Sequence, residues 1–573
     1  MVRLTINGIK VEVENGTTIL EAAKKAKIHI PTLCYLPEVQ AIGACRVCLV
    51  EIEGIGNLQA ACVHPVMDGM KVHTNTERVR QARKFSVEMI LSNHPMDCLT
   101  CPRNLNCELQ KVAHELGVNE IRFKGERSKG IIDESSPSIR RDNNKCILCR
   151  RCVTVCEAIQ SVSALSIQGR GFETQVMPAF GYGLSEVACT NCGQCTLVCP
   201  VGAITEKDDT QAVWDALSDP KKFVIIQDAP AVRAALGEEF GYPPGTLVTG
   251  KMLSAARKLG FDRVVDTNFA ADLTIIEEGS ELLKRIKEGG KLPLITSCSP
   301  GWIKFIEHFY PELLPHLSTC KSPHQMLGAL CKTYFAEKAG INPKDMVVVS
   351  VMPCTAKKFE CTRPEMTDSG YKDVDYVLTT REFAKMIKEA GIDFQSLEDG
   401  TYDDPMGEYT GAATIFGATG GVMEAALRTA YELATGKTLK QIDFVAVRGL
   451  NGIKEAAIPV EGIGDVKIAV AHGLGNARKL MEKIKSKEAD YHFIEIMACP
   501  GGCVGGGGQP IPTNAEIRKL RAQALYSEDK SLKYRKSHEN PSIKKLYEEF
   551  LKVPLGEKSH KLLHTKYTPR NRY

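Results

Sequence analysis

Cysteine is the residue type that carries chemistry in this chain. Its 573 residues include 22 cysteines, and 15 of them fall before residue 200. They stand in close groups of ligand spacing and are not dispersed as in a disulfide scaffold, which argues for a reducing compartment. The strongest pattern is a repeat: Cys146-x2-Cys149-x2-Cys152-x3-Cys156, then Cys189-x2-Cys192-x2-Cys195-x3-Cys199-Pro200. In proteins with two 4Fe-4S clusters the fourth cysteine of each such run ligates the other cluster. One cube is therefore predicted on Cys146, Cys149, Cys152 and Cys199, and a second on Cys189, Cys192, Cys195 and Cys156. Glu157 replaces the proline that would close the first run, which weakens only the turn after Cys156.

Two further groups precede the repeat. Cys34, Cys45, Cys48 and Cys62 suit a 2Fe-2S centre, where each iron takes two thiolates and the short pair Cys45/Cys48 serves one of them. A tetrahedral zinc on four thiolates is the competing reading. Gly43 and the hairpin-helix context favour iron-sulfur, and the segment resembles plant-type ferredoxin domains, with a longer run from Cys34 to Cys45 than is usual there. Next, His94-Pro-Met-Asp-Cys98-Leu-Thr-Cys101, followed by Cys107, offers three thiolates that lack a fourth partner unless His94 joins them. Neutral imidazole in place of an anionic thiolate completes a 4Fe-4S cube and raises its potential. This pattern resembles the small cluster domain shared by FeFe-hydrogenases and the large subunit of respiratory NADH dehydrogenase.

Clusters alone make a wire of four centres; the second half of the chain offers a place for a reaction. Glu495 to Pro510, EIMACPGGCVGGGGQP, sets Cys499 and Cys503 four residues apart ahead of the run Gly505 to Gly508. Glycines beside thiolates let the backbone close on a bulky inorganic group and turn N–H groups toward the sulfurs. The bland alternative is a glycine-rich loop with two buried thiols. With Thr296-Ser-Cys298-Ser299-Pro-Gly-Trp302, Met352-Pro-Cys354-Thr-Ala-Lys357-Lys358-Phe-Glu360 and Ile415-Phe416-Gly-Ala-Thr-Gly-Gly-Val-Met-Glu424, this stretch closely resembles the H-cluster domain of FeFe-hydrogenases. The resemblance runs over essentially the whole chain, and its layout is similar to the catalytic subunit of soluble, NAD(P)-linked, often electron-bifurcating enzymes.

That resemblance implies an H-cluster: a 4Fe-4S cube joined through one bridging thiolate to a diiron subsite carrying CO, cyanide and a bridging dithiolate. It implies Cys354, Cys499 and Cys503 as ligands, Cys503 bridging, with Lys357 against a cyanide and Met352, Met497 and Phe416 around the irons. It further implies a proton relay through Cys298, Glu278, Ser318, Glu281 and Arg285. On composition alone, two glutamates three apart on a helix form a solvated face and Lys357 is a surface lysine. One position departs from the family: Ser299 stands where a second cysteine ligates the cube. A hydroxyl deprotonates far less readily than a thiol. Ser299 binding as alkoxide, Cys298 taking over as ligand, and an altered or absent cube remain three readings at this point. In extended chain the two neighbours point to opposite sides, so the second reading requires a local backbone change.

The elements that must position these groups follow from patterning. Residues 1–78 read as a hairpin around Asn7-Gly8, a helix from about Ile19 opened by the capping box Thr18-Ile-Leu-Glu21, and a 2Fe-2S loop. Residues 79–118 form the His-ligated 4Fe-4S domain and 139–209 the two-cluster ferredoxin domain. After Asp219-Pro220, apolar runs such as Phe223–Gln227, Leu292–Thr296, Met346–Ser350 and Phe444–Arg448 alternate with amphipathic helices. They predict a two-lobed α/β H-cluster domain over 223–515, and 516–573 reads as a helical extension capping the cluster domains or meeting a partner. The fold class is thus multidomain, α/β plus α+β.

With 43% hydrophobic and 25% charged residues, the composition is that of an ordinary globular protein. The net charge of +4 is spread along the chain with no basic tract, so nucleic acid is not expected. No run reaches the roughly 18 to 20 apolar residues of a membrane span, and the N-terminus is a strand pair, not a signal peptide. A cytoplasmic location is expected. Gly473-Leu-Gly-Asn476 lacks a full phosphate-binding fingerprint, so NAD(P) would bind a flavin-containing partner subunit. The cofactors expected are one 2Fe-2S cluster, three accessory 4Fe-4S clusters and the H-cluster. The partners expected are flavin/NAD(P)-binding and small 2Fe-2S subunits and ferredoxin. The reading is an enzyme of reversible H2 oxidation and proton reduction; the alternative is an electron-transfer or sensory subunit whose H-cluster Ser299 has altered or abolished.

Overall fold

The computed structural model describes residues 1–37 and 39–572. At the N-terminus the strands Val2–Ile6 and Ile9–Val13 pair antiparallel, Val2 opposite Val13, across a turn in which Asn7 and Gly8 both take positive φ. Val2, Leu4, Ile6, Val11 and Val13 point into one core, as alternation requires. The sheet continues through Lys71–His73 and Leu49–Ile52 to Gln59–Ala60. The helix Ile19–Lys25 starts as predicted, with Thr18 Oγ1 accepting from Glu21 N–H at 3.3 Å. Its capping box is only half made: the Glu21 carboxylate accepts from Lys24 at 2.8 Å and from Tyr35 instead of reaching back.

The catalytic body is built on two four-stranded sheets. In the first, Arg263–Asp266, Phe223–Asp228, Met346–Met352 and Tyr376–Thr379 lie side by side and all parallel. Parallel strands must be covered on both faces, and the run Met346–Met352 is accordingly buried at every position. The second sheet runs Leu294–Ile295, Phe493–Met497, Gly464–His472, Ile453–Val460, with only the last pairing antiparallel. Phe444–Arg448, read as a strand from its apolar run, is a short 3-10 turn at Val445–Val447 in which Val445 stays exposed. The hairpin of Ile453–Val460 with Gly464–His472 takes the sheet position that segment would have filled.

The helix Thr267–Glu288 packs on Pro323–Leu330 and on Gly421–Thr435. It is buried almost along its whole length, including Glu277, Glu278 and Glu281, which is not the solvated face that composition alone would give that pair. The C-terminal extension also differs from expectation. It caps the catalytic body, not the cluster domains: Arg521 donates to Glu238 and to the Val504 carbonyl, Arg428 pairs with Asp529 at 2.9 Å, and Asn540 donates to Asp272. Buried charged and polar groups need buried partners, and Arg521, Asp529 and Asn540 of the tail find theirs on this body. Among the described residues no helix is long and apolar enough to cross a membrane.

Candidate functional site

Strand ends build the site. In open α/β sheets ligands collect beyond the carboxyl ends of the strands. Here Ala229 and Pro230 follow one strand, Thr267 a second, and Pro353 and Cys354 a third. Cys298 and Ser299 follow Leu294–Ile295, and Ala498 and Cys499 follow Phe493–Met497. All of them line one cavity, joined by Met352, Met497, Phe416, Lys357, Cys503, Gly502 and Gly506. Three motifs spread over some 200 residues of sequence therefore meet around a single space.

Cys354, Cys499 and Cys503 face one another closely enough for each charge to disfavour the next, and burial pushes the Cys503 thiol up to about 12. Thiols raised in this way stay protonated unless a bound cation takes them as thiolates, and three converging thiols are a donor set that fits an iron-sulfur group. The glycine run closes down as its composition implies. A Cβ on Gly506 would meet the Pro353 carbonyl oxygen at 2.0 Å, and one on Gly507 the Cys192 carbonyl oxygen at 2.5 Å. Arg381, Gln194 and Thr196 donate to carbonyls of this run and hold it in place.

Ser299 precedes Pro300, the first residue of the helix Pro300–Phe309, which is where a serine usually caps. Its hydroxyl does not cap. Its Oγ accepts from Ala498 N–H at 3.2 Å instead, beside Cys499. Cys298 lines the same cavity, and Ser299 keeps the extended backbone (φ −101°, ψ 100°) expected ahead of the helix. Burial, then the Glu278 carboxyl, raise the Cys298 thiol well above its ordinary range, so it keeps its proton at neutral pH. Trp302, expected in a loop, is buried inside that helix and donates to the Thr296 carbonyl at 3.2 Å.

Lys357 is buried and fixed, not a surface lysine. Its Nζ donates to Glu360 at 2.9 Å and to the Cys298 carbonyl at 3.1 Å. Glu360 also accepts from Ser322 and lies 2.5 Å from His324. Although burial opposes it, the Lys357 ammonium and His324 hold the Glu360 carboxyl down to about 2. Burial and Lys357 push His324 down to about 4. Sequence reading quoted Glu360 without a role and missed His324, which no spacing marks. It likewise gave no role to Glu495, whose buried carboxylate accepts from Gly420 N–H at 2.6 Å and Met423 N–H at 2.7 Å and so fixes the loop that carries Phe416.

Of the expected relay residues, Ser318, Glu281 and Arg285 are hydrogen-bonded in a row, and Glu278 lies beside Ser318 and Cys298. Burial pushes Glu278 up to about 8. Ser318 Oγ donates to Glu281 Oε2 at 3.2 Å, and Glu281 Oε1 accepts from Arg285 at 2.6 Å.

The front-end ligands also assemble. One pocket is lined by Cys146, Cys149, Cys152 and Cys199, and another by Cys156, Cys189, Cys192 and Cys195, the interleaved grouping that the spacing predicts. Both runs use the same backbone: left-handed residues at Leu148 and Arg150 recur at Asn191 and Gly193. Leu148 N–H points at Cys146 Sγ at 3.4 Å. Cys192 also lines the catalytic cavity, and its carbonyl accepts from Cys499 Sγ at 4.0 Å. His94, Cys98, Cys101 and Cys107 line one cleft. Burial lowers His94 and keeps it neutral, and its buried Nδ1 finds no hydrogen-bond partner among the described residues. A neutral imidazole with an unpaired nitrogen beside three thiols fits a metal site. Cys34, Cys45, Cys48 and Cys62 lie close enough to shift one another's ionisation, so these four thiols too form one group. Gly473 to Asn476 is structural: it opens the helix Leu474–Lys485, and Leu474 N–H donates to Gln160 of the two-cluster segment at 2.9 Å.

Comparison with known proteins covers the same ground. The family described as iron only hydrogenase large subunit, C-terminal domain, matches residues 222–507, and the iron hydrogenase small subunit matches 515–570. A 2Fe-2S iron-sulfur cluster binding domain matches 1–77, the NADH-ubiquinone oxidoreductase-G iron-sulfur binding region 83–122, and a 4Fe-4S dicluster domain 145–203. The NADP-reducing hydrogenase subunit HndD of Solidesulfovibrio fructosivorans is 53% identical over 585 residues, covering 100% of both chains. Iron hydrogenase 1 of Clostridium pasteurianum is 43% identical over 99% of this chain and 100% of its own. Among solved structures, a variant of apo [FeFe]-hydrogenase HydA1 from Chlamydomonas reinhardtii superposes with a TM-score of 0.58 at 47% identity, over 64% of this chain and 100% of that one.

Proposed function

The chain belongs to the iron-only hydrogenase family, and from that membership we infer what each part of it does. It is an iron hydrogenase, with 2Fe-2S and 4Fe-4S domains ahead of an H-cluster domain. We propose that Cys354, Cys499 and Cys503 hold the H-cluster in the cavity between the strand ends, and that Ser299 Oγ occupies the fourth corner of its cube as an oxygen ligand. The observation that carries this reading is the convergence of the thiols of Cys354, Cys499 and Cys503 and the Ser299 residue on one space, from three separate strand ends. When bound, the H-cluster supplies the redox-active iron at which dihydrogen is split or formed.

The chain's own residues do the rest. Lys357, pinned by Glu360 and the Cys298 carbonyl, holds a positive charge at the cavity wall where an anionic ligand is stabilised. Cys298 and Glu278 both carry a proton at neutral pH, as a relay next to a buried reaction requires. Ser318 Oγ links Glu278 to Glu281, and Arg285 holds Glu281 in register. Cys192, lining the same cavity, brings the second 4Fe-4S group of the front domain to the catalytic wall, so electrons pass there and onward to the surface through the other accessory clusters. We count three accessory 4Fe-4S clusters and one 2Fe-2S cluster. The likeness to a subunit of an NADP-reducing hydrogenase supports flavin- and NADP(H)-binding partner subunits, with ferredoxin as a further electron partner.

The test is infrared spectroscopy and iron counting on protein matured with the diiron cofactor, beside H2 evolution from a strong reductant. CO and cyanide bands with turnover are expected. Ser299→Cys is expected to keep the bands while changing the magnetic signature of the cube. Cluster signals from the front domains without CO and cyanide bands would leave an electron conduit and overturn the assignment.

A further inference from the structure

The relay described above ends on Arg285, and that is chemically incomplete. A guanidinium has no acceptor site and does not release a proton near neutral pH. Arg285 is moreover committed to the carbonyls of Lys291, Pro315, His316 and Leu317 as well as to Glu281. A proton that reaches Glu281 therefore needs a different group to carry it to water.

Such a group comes from the C-terminal segment. Glu281 Oε2, the oxygen that accepts from Ser318, also accepts from Thr319 N–H at 3.1 Å and from Thr319 Oγ1 at 3.3 Å. Thr319 Oγ1 lies 2.7 Å from His564 Nδ1, and His564 Nε2 lies 3.2 Å from Glu277 Oε2. The imidazole is held from both sides: Lys321 N–H donates to the Leu563 carbonyl at 2.8 Å, and Thr565 N–H to the Thr319 carbonyl at 2.7 Å. Its ring centroid is 4.4 Å from that of His560, which is exposed. The groups facing this pair are Glu277, Glu281 and Lys284 from the relay helix, Tyr547 and Ser559 through Glu277, and the Cys320 thiol. Glu281, Cys320 and His564 present ligand atoms within 4.8 Å of one another. Both Glu281 oxygens already accept hydrogen bonds, however, which marks a hydrogen-bonded route and not an ion site.

We propose that Thr319 and His564 form a second arm of the proton relay, carrying protons between Glu281 and solvent with His560 at its mouth. No electrons move in this step. A proton on Glu281 Oε2 passes to Thr319 Oγ1 as the threonine's own hydroxyl proton passes to His564 Nδ1. The resulting imidazolium is paired with the Glu277 carboxylate, and the ring must turn to release one proton to water on the side where the exposed His560 packs against it. In H2 evolution the same transfers run inward. Glu277, whose carboxyl is held low by His564, Ser559 and Tyr547 against its burial, is a positioning residue that keeps the imidazole oriented.

The inference rests on the Glu278–Ser318–Glu281 reading, and the experiment separates the two. In the matured full-length enzyme, with CO and cyanide bands checked in each variant, His564→Gln keeps hydrogen bonds to Thr319 and Glu277 but removes the titrating ring. Turnover is expected to fall about 100-fold, at the low end for a lost proton carrier, and the limb of the pH profile owed to imidazole to flatten. Added imidazole is expected to restore His564→Ala and leave wild type unchanged. Thr319→Val, which spares the contact between His564 and Glu277, is expected to show the same loss. Independently of turnover, pH-difference infrared spectra should show the Glu281 carboxyl band, identified by its loss in Glu281→Gln, titrating together with histidine ring modes in wild type and alone in His564→Gln. Full turnover with an unchanged pH profile in either His564→Gln or Thr319→Val, while Glu281→Gln is impaired, overturns the second arm alone. Full turnover in Glu281→Gln overturns the relay itself.

Discussion

In the two-cluster segment every thiol group comes from two short runs, 146–156 and 189–199, whose loops share the same left-handed residues. In the catalytic cavity the sulfur and oxygen donors come from 298–299, 354 and 499–503, each on a different strand end. The first arrangement is carried by local backbone geometry; the second exists only when two sheets and a buried helix are in place together. The polar groups differ accordingly. Around the cavity, Lys357, Glu360, His324, Glu278 and Glu495 are all buried and mutually dependent. At the His94 cleft the three cysteines remain partly exposed. Cys298, Cys354 and Cys503 of the cavity are partly exposed as well, so the difference lies in the buried charged groups around the thiols, which a site moving protons would need in order to control each donor and acceptor.

The sharpest way to break this contrast is to remove one sulfur from each side. Cys503→Ala is expected to abolish H2 turnover and the CO and cyanide bands together. Cys146→Ala is expected to keep those bands and lose only one accessory cluster signal and the electron flow through it. Equal loss of bands in both would erase the distinction.

A smaller effect is expected at Glu278. Glu278→Gln should retain the bands and lower turnover by about 10²–10⁴-fold, the range of a lost proton-transfer group. It also makes a stability prediction. Glu278 sits at about 8 in the fold, above its ordinary value of 4.5. A raised carboxyl favours the fold at low pH, where both states hold the proton, and that advantage is lost as pH rises through about 8. Wild type should therefore lose stability relative to Glu278→Gln between those values, by a few kcal/mol, in urea titrations at successive pH.

Lys357→Met tests the mutual dependence of the buried charges. It leaves Glu360 with His324 and Ser322 but without its ammonium, and a broken buried pair costs about 3–5 kcal/mol, measurable as a lowered urea midpoint. The low Glu360 value should rise with it. The smallest change is expected from His94→Cys. One more thiolate adds negative charge, so the potential of that cluster should fall in a redox titration, with turnover from a soluble dye little changed.

Much of this molecule was legible in its residues. The repeated four-cysteine runs predicted the interleaved grouping because turn geometry, set by neighbours one to four residues away, places each thiol. The strands Phe223–Asp228 and Met346–Met352 were legible as continuous apolar runs, since a parallel strand buried on both faces has no other pattern. Phe444–Arg448 had the same pattern and became a turn, because a strand also needs a free neighbour, which the run itself does not encode. The capping box at Thr18 formed only half, because Tyr35 and Lys24 compete for Glu21.

By itself the sequence determined which atoms could meet iron: the cysteines, the lone His94 and the departure at Ser299, all written in residue type and spacing. Only the tertiary structure decided that Ser299 turns its hydroxyl to Ala498 and the cavity in place of its own helix. It alone buried Glu278 and raised its carboxyl, and it alone brought His564 from the far end of the chain to Glu281 through Thr319. Ligand type is a property of single residues, whereas burial, proton affinity and contact across nearly 300 residues arise from packing, which no local pattern records.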